Sequence, residues 1–527
     1  MSSKKLAGLQ VSASNTRREM ALFGLLALVV AFLIVYAFVG APGYTDVYYH
    51  FNAAKRLATG FGLTDTYLWT YIGAPDTLPA PSHLYWMPIT SILAAVSMWL
   101  TRSTSYAAAQ IPFALCLAGT ALVAFRLGWR VLKQRRGAWL AGLLTLFSGF
   151  YTRYWGAIDT FAPYALIASL GLSAFGLALE SPASKRWWLL AGALAALAHL
   201  TRADGLLLIG LGGLLAVWLI IERRLTLQVG IVRVSLLLAA YLVVLLPWFA
   251  RNWIAIGSPL PLGGTQAIWF DEYDDLFSYP PDASPVTLGL EGFINSRREA
   301  LVNNFATFVA VEGLIAMSPF MLIGLWRRRR DLYWRPFCGY ALLLHVAMTF
   351  VFPYPGYRGG LFHSAAALIP FWTVLGLAGI DDAVGWVAQR RRRWQPQVAK
   401  VLFSFGLLGL AILLSLQTGM AGRIVASDTI PALYQELQQV IPPEARVMIN
   451  DPAALYYFTG YGGVVIPNGD ADAVRQIATQ YAVQYLVLQA GGMTDELAPL
   501  YNAPPAFLTP IPLTTPDVRL YAITISP

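Results

Sequence analysis

Apolar runs of about 17–25 residues recur along the chain, the length that crosses a bilayer as a helix. In lipid a backbone must satisfy its own polar groups, so runs of this kind fold as helices packed on one another. The 527 residues are 57% hydrophobic and 12% charged, where soluble domains are about 25% charged. The first run, from Met20 to Gly40, is too long for a signal-peptide core and lacks a small-residue cleavage site, so a retained span is expected. Cys116 and Cys338 both lie in apolar runs and read as buried, inert thiols.

Eleven spans are expected, at 20–41, 106–128, 137–153, 160–180, 187–201, 204–221, 229–250, 304–326, 335–353, 361–380 and 398–418. With the N-terminus inside, the cytoplasmic segments are 1–19, 126–136, 181–186, 222–233, 327–335 and 381–400, and they hold 24 of the 37 Lys and Arg. That bias orients the chain by the positive-inside rule. It also accounts for the net charge of +9 as a membrane signature and not a nucleic-acid one. The apolar stretch 86–100 is about 15 residues long, too short to span, and reads as a helix on the outer surface or dipping partly in. The expected protein is a multi-pass inner-membrane chain with a short cytoplasmic tail, 1–19, and a transmembrane unit, 20–420. Its long outer loops are 42–105 and 251–303.

The character changes after about 425. Segment 425–527 carries nine acids and three bases. "ARVMIN", "GVVIP" and "YLVLQ" read as strands, with "IPALYQELQQV" and "DAVRQIATQYA" as helices between them. Alternation of this kind predicts a small α/β domain outside the membrane. The fold class is therefore an all-α polytopic bundle with a small C-terminal α/β extracytoplasmic domain.

Polar residues collect at the outer span ends. Asp46 follows span one in "GYTDVYYHFNAAKRLATGFG", and Asp159 opens span four in "TRYWGAIDTFAPYA". Arg202 and Asp204 lie in "LTRADG", Arg251 follows span seven, and Arg358 and His363 lie in "PYPGYRGGLFHSAAALIP". Tyr48, Tyr49, His83 and Arg153 lie near these and complete the candidate binding set. One carboxylate, several arginines and an outward rim suit sugar transfer from a polyprenyl phosphate. The acceptor hydroxyl needs a base, the leaving phosphate needs cationic donors, and the lipid tail keeps the site at the membrane boundary. Each residue also has a plain structural reading. Asp46 and Asp159 fit helix caps, Arg202 and Asp204 an interfacial pair, and Arg251 an anchor beside Trp248 and Trp253. Glu312, His199 and His345 read as bundle-facing polar residues, and "DEYDD" at 271–275 as a solvated loop face.

"TDVYYHFNAAKRLATGFG" after the first span, the long first loop, Asp159 opening a later span and "LTRADGLLL" together resemble the GT-C superfamily of membrane glycosyltransferases. More narrowly they resemble the bacterial protein O-mannosyltransferase and aminoarabinose-transferase-like group. The resemblance implies a base or acceptor-orienting role for Asp46 and a metal or substrate role for Asp159. It implies lipid-phosphate contacts from Arg358, with Arg202 and Arg251 behind it. Any divalent cation, Mg or Mn, would sit at Asp46 and Asp159. The implied partners are a polyprenyl-phosphate sugar, membrane lipid, and an acceptor that is protein, lipid or glycan. The sequence departs from the oligosaccharyltransferases of that superfamily, since Asp159 is followed by Thr160 and Phe161 and no Trp-Trp-Asp-Tyr-Gly motif is present. A transporter or flippase of a lipid-linked sugar, and a non-catalytic assembly factor, are the competing readings.

Overall fold

A computed structural model describes residues 13–525, apart from 262–266, 271, 273, 282–284, 392 and 427–428. Most of the 1–19 tail, Asp271 and Tyr273 of the acidic run, and Arg392 therefore lie outside the described residues. Among these, seven helices are long and apolar enough to cross a membrane: Thr16–Phe38, Tyr106–Leu132, Phe161–Glu180, Ala203–Ile221, Leu227–Ile256, Pro353–Ala388 and Pro396–Ala421. The chain is a multi-pass membrane bundle. The other four expected spans fall on shorter or interrupted helices. Those at 137–153 and 187–201 correspond to helices Arg135–Leu146 and Lys185–Thr201. The span expected at 304–326 is broken where Leu314 and Ile315 adopt positive φ before Ser318–Arg328 resumes. The one expected at 335–353 passes from helix Arg335–Val346 into a π-helical turn, Ala347–Val351.

Small residues bring the helices together. Helix Tyr106–Leu132 buries Ala109, Ala114, Ala118, Ala121 and Ala124 completely or nearly so. At Gly128 an added Cβ would lie 2.8 Å from the Gly137 carbonyl of the next helix, so only glycine permits that crossing. Large apolar side chains face outward instead, including Leu33, Val243 and Ile254, as a lipid-facing surface requires.

The arginine-rich segments gather at one end. Arg136 donates to both Asp381 oxygens at 2.7 Å and Arg328 to Asp382 at 2.8 Å. Arg130 pairs with Glu180 and lies over the Tyr333 ring. Helix Tyr106–Leu132 connects this end to the other, about 40 Å away at 1.5 Å per residue.

The far end carries a six-stranded sheet. In the first long loop β1 (Thr64–Asp65) pairs with β3 (Ala80–Pro81), and the strands of the larger sheet are β2 (Tyr67–Leu68), β4 (Val447–Ile449), β5 (Gly463–Val465), β6 (Tyr485–Gln489), β7 (Leu508–Ile511) and β8 (Val518–Ile523), in the order β2-β5-β4-β6-β8-β7. The strands β2, β5, β4 and β6 run parallel, and β8 and β7 add antiparallel. The three strands and two helices read from sequence are present as β4, β5 and β6 and as Ala432–Val440 and Ala471–Tyr481. The structure adds helices Pro452–Thr459 and Ala498–Asn502, the β7–β8 hairpin, and β2, which the first long loop lends to the C-terminal sheet. The segment 86–100 forms helix Ile89–Thr101, which packs on the loop helix Thr45–Ala58 and on Tyr106–Leu132.

Candidate active site

Two acids and an imidazole meet where the sheet joins the bundle. Asp46 lies in the first turn of the loop helix Thr45–Ala58. It does not cap that helix, whose N-cap is Tyr44 with no side-chain cap bond. An acid at a helix N-terminus is favoured by the helix dipole. Asp159 ends the loop before helix Phe161–Glu180 and is buried. Its Oδ1 accepts from the Thr160 amide at 2.5 Å, and its Oδ2 accepts from the Tyr44 hydroxyl at 2.6 Å.

His363 completes the cluster. Its Nδ1 donates to the Gly359 carbonyl at 2.8 Å, which turns Nε2 toward Asp159 Oδ2 at 3.2 Å. Phe161 stacks on the ring with centroids 4.0 Å apart. Gly359 has φ 140°, a conformation that a side chain would strain, and this aims its carbonyl at the histidine. One ligand atom from each of Asp46, Asp159 and His363 lies within 4.8 Å of the others. Two carboxylates and an imidazole, the latter oriented by a backbone carbonyl on its second nitrogen, form a donor set that fits a divalent cation.

The electrostatics separate the two acids. Burial, then the neighbouring Asp159 charge, pushes the Asp46 carboxyl up to about 6, while His363, Arg202 and a hydrogen bond from Trp86 pull the other way. Burial acts to raise Asp159 as well. There the charge and hydrogen bond of His363, followed by His50 and Tyr44, outweigh it and hold the carboxyl well below the usual range. The surroundings thus favour the ionised form of Asp159 and hold the Asp46 carboxyl above the usual range.

A cavity of about 480 Å³ opens over this cluster, lined by Asp46, His363, Tyr154, Arg153 and Arg358 among others. Arg153 lies over the Tyr154 ring at 4.6 Å and bonds to its hydroxyl. Arg358 lies in the π-helical turn Gly356–Gly360 before His363, 5.9 Å from the Tyr354 ring centroid.

The remaining sequence candidates lie elsewhere. Arg202 bonds to Asp204 at 3.0 Å, Ser364 at 2.8 Å and Thr160 at 3.2 Å, and Ser364 also donates to Asp204. This half-buried knot ties the neighbours of Asp159 and His363 together. Arg251 donates to the Leu63 carbonyl and to Asn252, both at 2.9 Å, and lies over Trp248, outside the cavity lining. Tyr48 packs against Tyr457 and Phe458. Tyr49 donates to Asp65 Oδ2 at 2.8 Å and accepts from the His83 amide at 2.6 Å. The His83 ring joins a buried chain, with Ser82 at 2.7 Å and Ser91 at 2.9 Å, and Ser91 bonds to His50 at 2.9 Å. Sequence reasoning missed Tyr44, Trp86 and Tyr154. Tyr44 and Trp86 had no signal beyond their proximity to Asp46 and to "PAPSHLYWMP".

No protein-family model matches the sequence, and no curated protein matches it. Solved structures do. The oligosaccharyltransferase of Archaeoglobus fulgidus in its apo form aligns with a TM-score of 0.59 at 12% identity, over 89% of this chain and 69% of that one. ArnT of Cupriavidus metallidurans, solved bound to undecaprenyl phosphate, aligns with a TM-score of 0.56 at 15% identity, over 95% of this chain and 97% of that one. The fold is that of the GT-C membrane glycosyltransferases. A further GT-C structure, the same oligosaccharyltransferase with zinc and sulfate, aligns with a TM-score of 0.58 at 14% identity, over 88% of this chain and 67% of that one. The GT-C likeness extends nearly end to end with ArnT, so it includes the sheet as well as the bundle.

Proposed function

We propose that the protein is a membrane glycosyltransferase that moves a sugar from a polyprenyl-phosphate donor to an acceptor hydroxyl on the extracytoplasmic face, with inversion. The observation that carries this reading is a single cavity that joins Asp46 to Arg153 and Arg358, in a bundle with the GT-C fold. The neighbour ArnT is solved with undecaprenyl phosphate, and a lipid carrier of that chemistry suits a cavity at the membrane boundary. By the positive-inside rule the arginine-rich end would face the cytoplasm, which supports a sheet and a cavity on the outer side.

The acceptor oxygen attacks the anomeric carbon from the face opposite the phosphate. As that bond forms, the bond from the anomeric carbon to the phosphate oxygen breaks, and the electron pair leaves with the phosphate. Asp46 takes the acceptor proton. Its raised carboxyl is basic enough to hold that proton and acidic enough to stand ionised at neutral pH. Arg153 and Arg358 stabilise the charge that develops on the polyprenyl phosphate, where planar bidentate donors suit the group. Asp159 stays anionic and keeps His363 and Tyr44 in place. Asp46, Asp159 and His363 would hold a divalent cation, which when bound supplies positive charge that orients the reacting oxygens.

The test is to incubate purified protein with a panel of polyprenyl-phosphate sugars and candidate acceptors. Consumption of one donor, lost in Asp46→Asn with expression and topology unchanged, is the expected result. Transfer retained by Asp46→Asn removes Asp46 as base. Passage of the lipid sugar across proteoliposomes without any acceptor would favour a flippase instead.

A further inference from the structure

The C-terminal region touches the loop helix along a seam that reaches to the residue before Asp46. Helix Pro452–Thr459 lies beside Thr45–Ala58, and it and its N-cap Asp451 make three hydrogen bonds with side chains of that helix. The Thr45 hydroxyl donates to Asp451 Oδ2 at 2.9 Å, Asn52 Nδ2 donates to the Ala453 carbonyl at 2.9 Å, and Arg56 Nη1 donates to the Tyr456 hydroxyl at 3.1 Å. Positions 45, 52 and 56 recur at 7 and 11 residues, about two and three helical turns, so one face of the helix is fastened along its length.

Asp451 does more than join the helices. Its Oδ1 accepts from the Ala454 amide at 2.9 Å and so caps Pro452–Thr459, while its Oδ2 holds Thr45. The turn that carries Asp46 has no side-chain cap of its own. The same sheet also takes β2 from the loop that follows this helix, so the loop helix is held to the C-terminal region at both ends.

We propose that Asp451 is a positioning residue: through Thr45 the C-terminal region sets where Asp46 stands in the cavity. The proposal rests on the transferase reading. Displacement of a reacting group by about 1 Å can cost a factor of about 100 in rate, so a bond one residue from the base is well placed to act on turnover. It gives the C-terminal region a part in the chemistry beyond contact with an acceptor.

Two substitutions isolate the bond. Thr45→Val removes the donor and keeps the shape, whereas Thr45→Ser keeps the donor. Asp451→Ser retains a capping oxygen on a side chain shorter by one heavy atom, and weakens the hold on Thr45. Expected are a fall in kcat of about tenfold or more for Thr45→Val and Asp451→Ser, with KM for the donor and Tm close to wild type, and near-normal turnover for Thr45→Ser. The double variant Thr45→Val/Asp451→Ser should be no worse than the poorer single one, because both remove one bond. Amide exchange at 45–50 should speed up in Thr45→Val. Wild-type kcat in Thr45→Val, or equal losses in Thr45→Ser and Thr45→Val, would overturn the proposal, as would unchanged exchange at 45–50. Faster exchange at 45–50 together with no transfer by the wild-type protein to any acceptor supports the anchoring and overturns the transferase reading instead.

Discussion

Asp46 and Asp159 are the same side chain shifted in opposite directions, and their surroundings set the difference. Asp159 accepts from Tyr44, the Thr160 amide and His363, whereas Asp46 faces the cavity with Trp86 as its donor. A base must be ionised to accept a proton, and without a bound cation burial and the Asp159 charge push the Asp46 carboxyl up to about 6. The value of kcat/KM should therefore fall about tenfold per unit as pH drops below about 6 and level off above it, which a pH–rate profile in detergent would read. At neutral pH, Asp46→Asn should lower turnover by about 100-fold or more. The arginines also divide. Arg153→Ala and Arg358→Ala should each lower turnover by about tenfold or more through lost charge stabilisation. Arg251→Ala, which removes bonds to Leu63 and Asn252 only among those described, should act chiefly on stability. Donor titrations and melting curves on the three variants separate the two effects.

At the scale of elements, the loop that contributes Asp46 is organised by buried polar groups. Burial pushes the Asp65 carboxyl up to about 7, against the Tyr49 hydrogen bond and the charges of Arg56 and Arg251. The folded state therefore keeps a proton that the unfolded chain releases near pH 4. The stability tied to that proton is fully present below about pH 4 and is lost as pH rises toward and through about 7. Melting temperature should decline between pH 5 and 8, and Asp65→Asn should flatten that slope, because an amide still accepts from Tyr49. Arg202 plays a comparable part between two helices, joining Thr160 to Ser364 and so Asp159 to His363. Arg202→Lys keeps the charge and loses the fork, and it should reduce kcat by about tenfold, about 1.4 kcal/mol of barrier.

At the scale of the molecule, the arginine-rich end and the sheet end stand about 40 Å apart along helix Tyr106–Leu132. Cysteines introduced at Ser184 and Thr515 should label from opposite sides of intact vesicles, with Thr515→Cys reached from outside. Labelling from the same side would reverse the topology and the side of the reaction. The sheet is also not a detachable unit. With β2 paired to β5 and helix Pro452–Thr459 bonded to the loop helix, a chain ending before 425 exposes apolar residues such as Tyr67 and Leu68. It should be recovered from membranes in much lower yield than the full chain.

Local pattern carried the class of the fold. Span length and the break in hydropathy near 425 are properties of short windows, so the bundle and the strands β4 to β6 could be read without coordinates. The polar residues at span ends were legible for the same reason, because ionisable groups are costly inside lipid and collect where the apolar runs stop. Which of them converge was not legible. Asp46, Asp159 and His363 come from two helices and a loop up to 317 positions apart, and Thr45 meets Asp451 across 406. Arg202 and Arg358 look alike as text, yet one is consumed by Asp204 and Ser364 while the other lines the cavity. The sequence alone determined that the chain folds in a membrane and where along it polar chemistry gathers, because hydrophobic length acts locally. Only tertiary packing decided which acid is held ionised, which arginine faces the cavity, and that the C-terminal sheet grips the loop helix. Burial and hydrogen bonding depend on neighbours that chain order does not reveal.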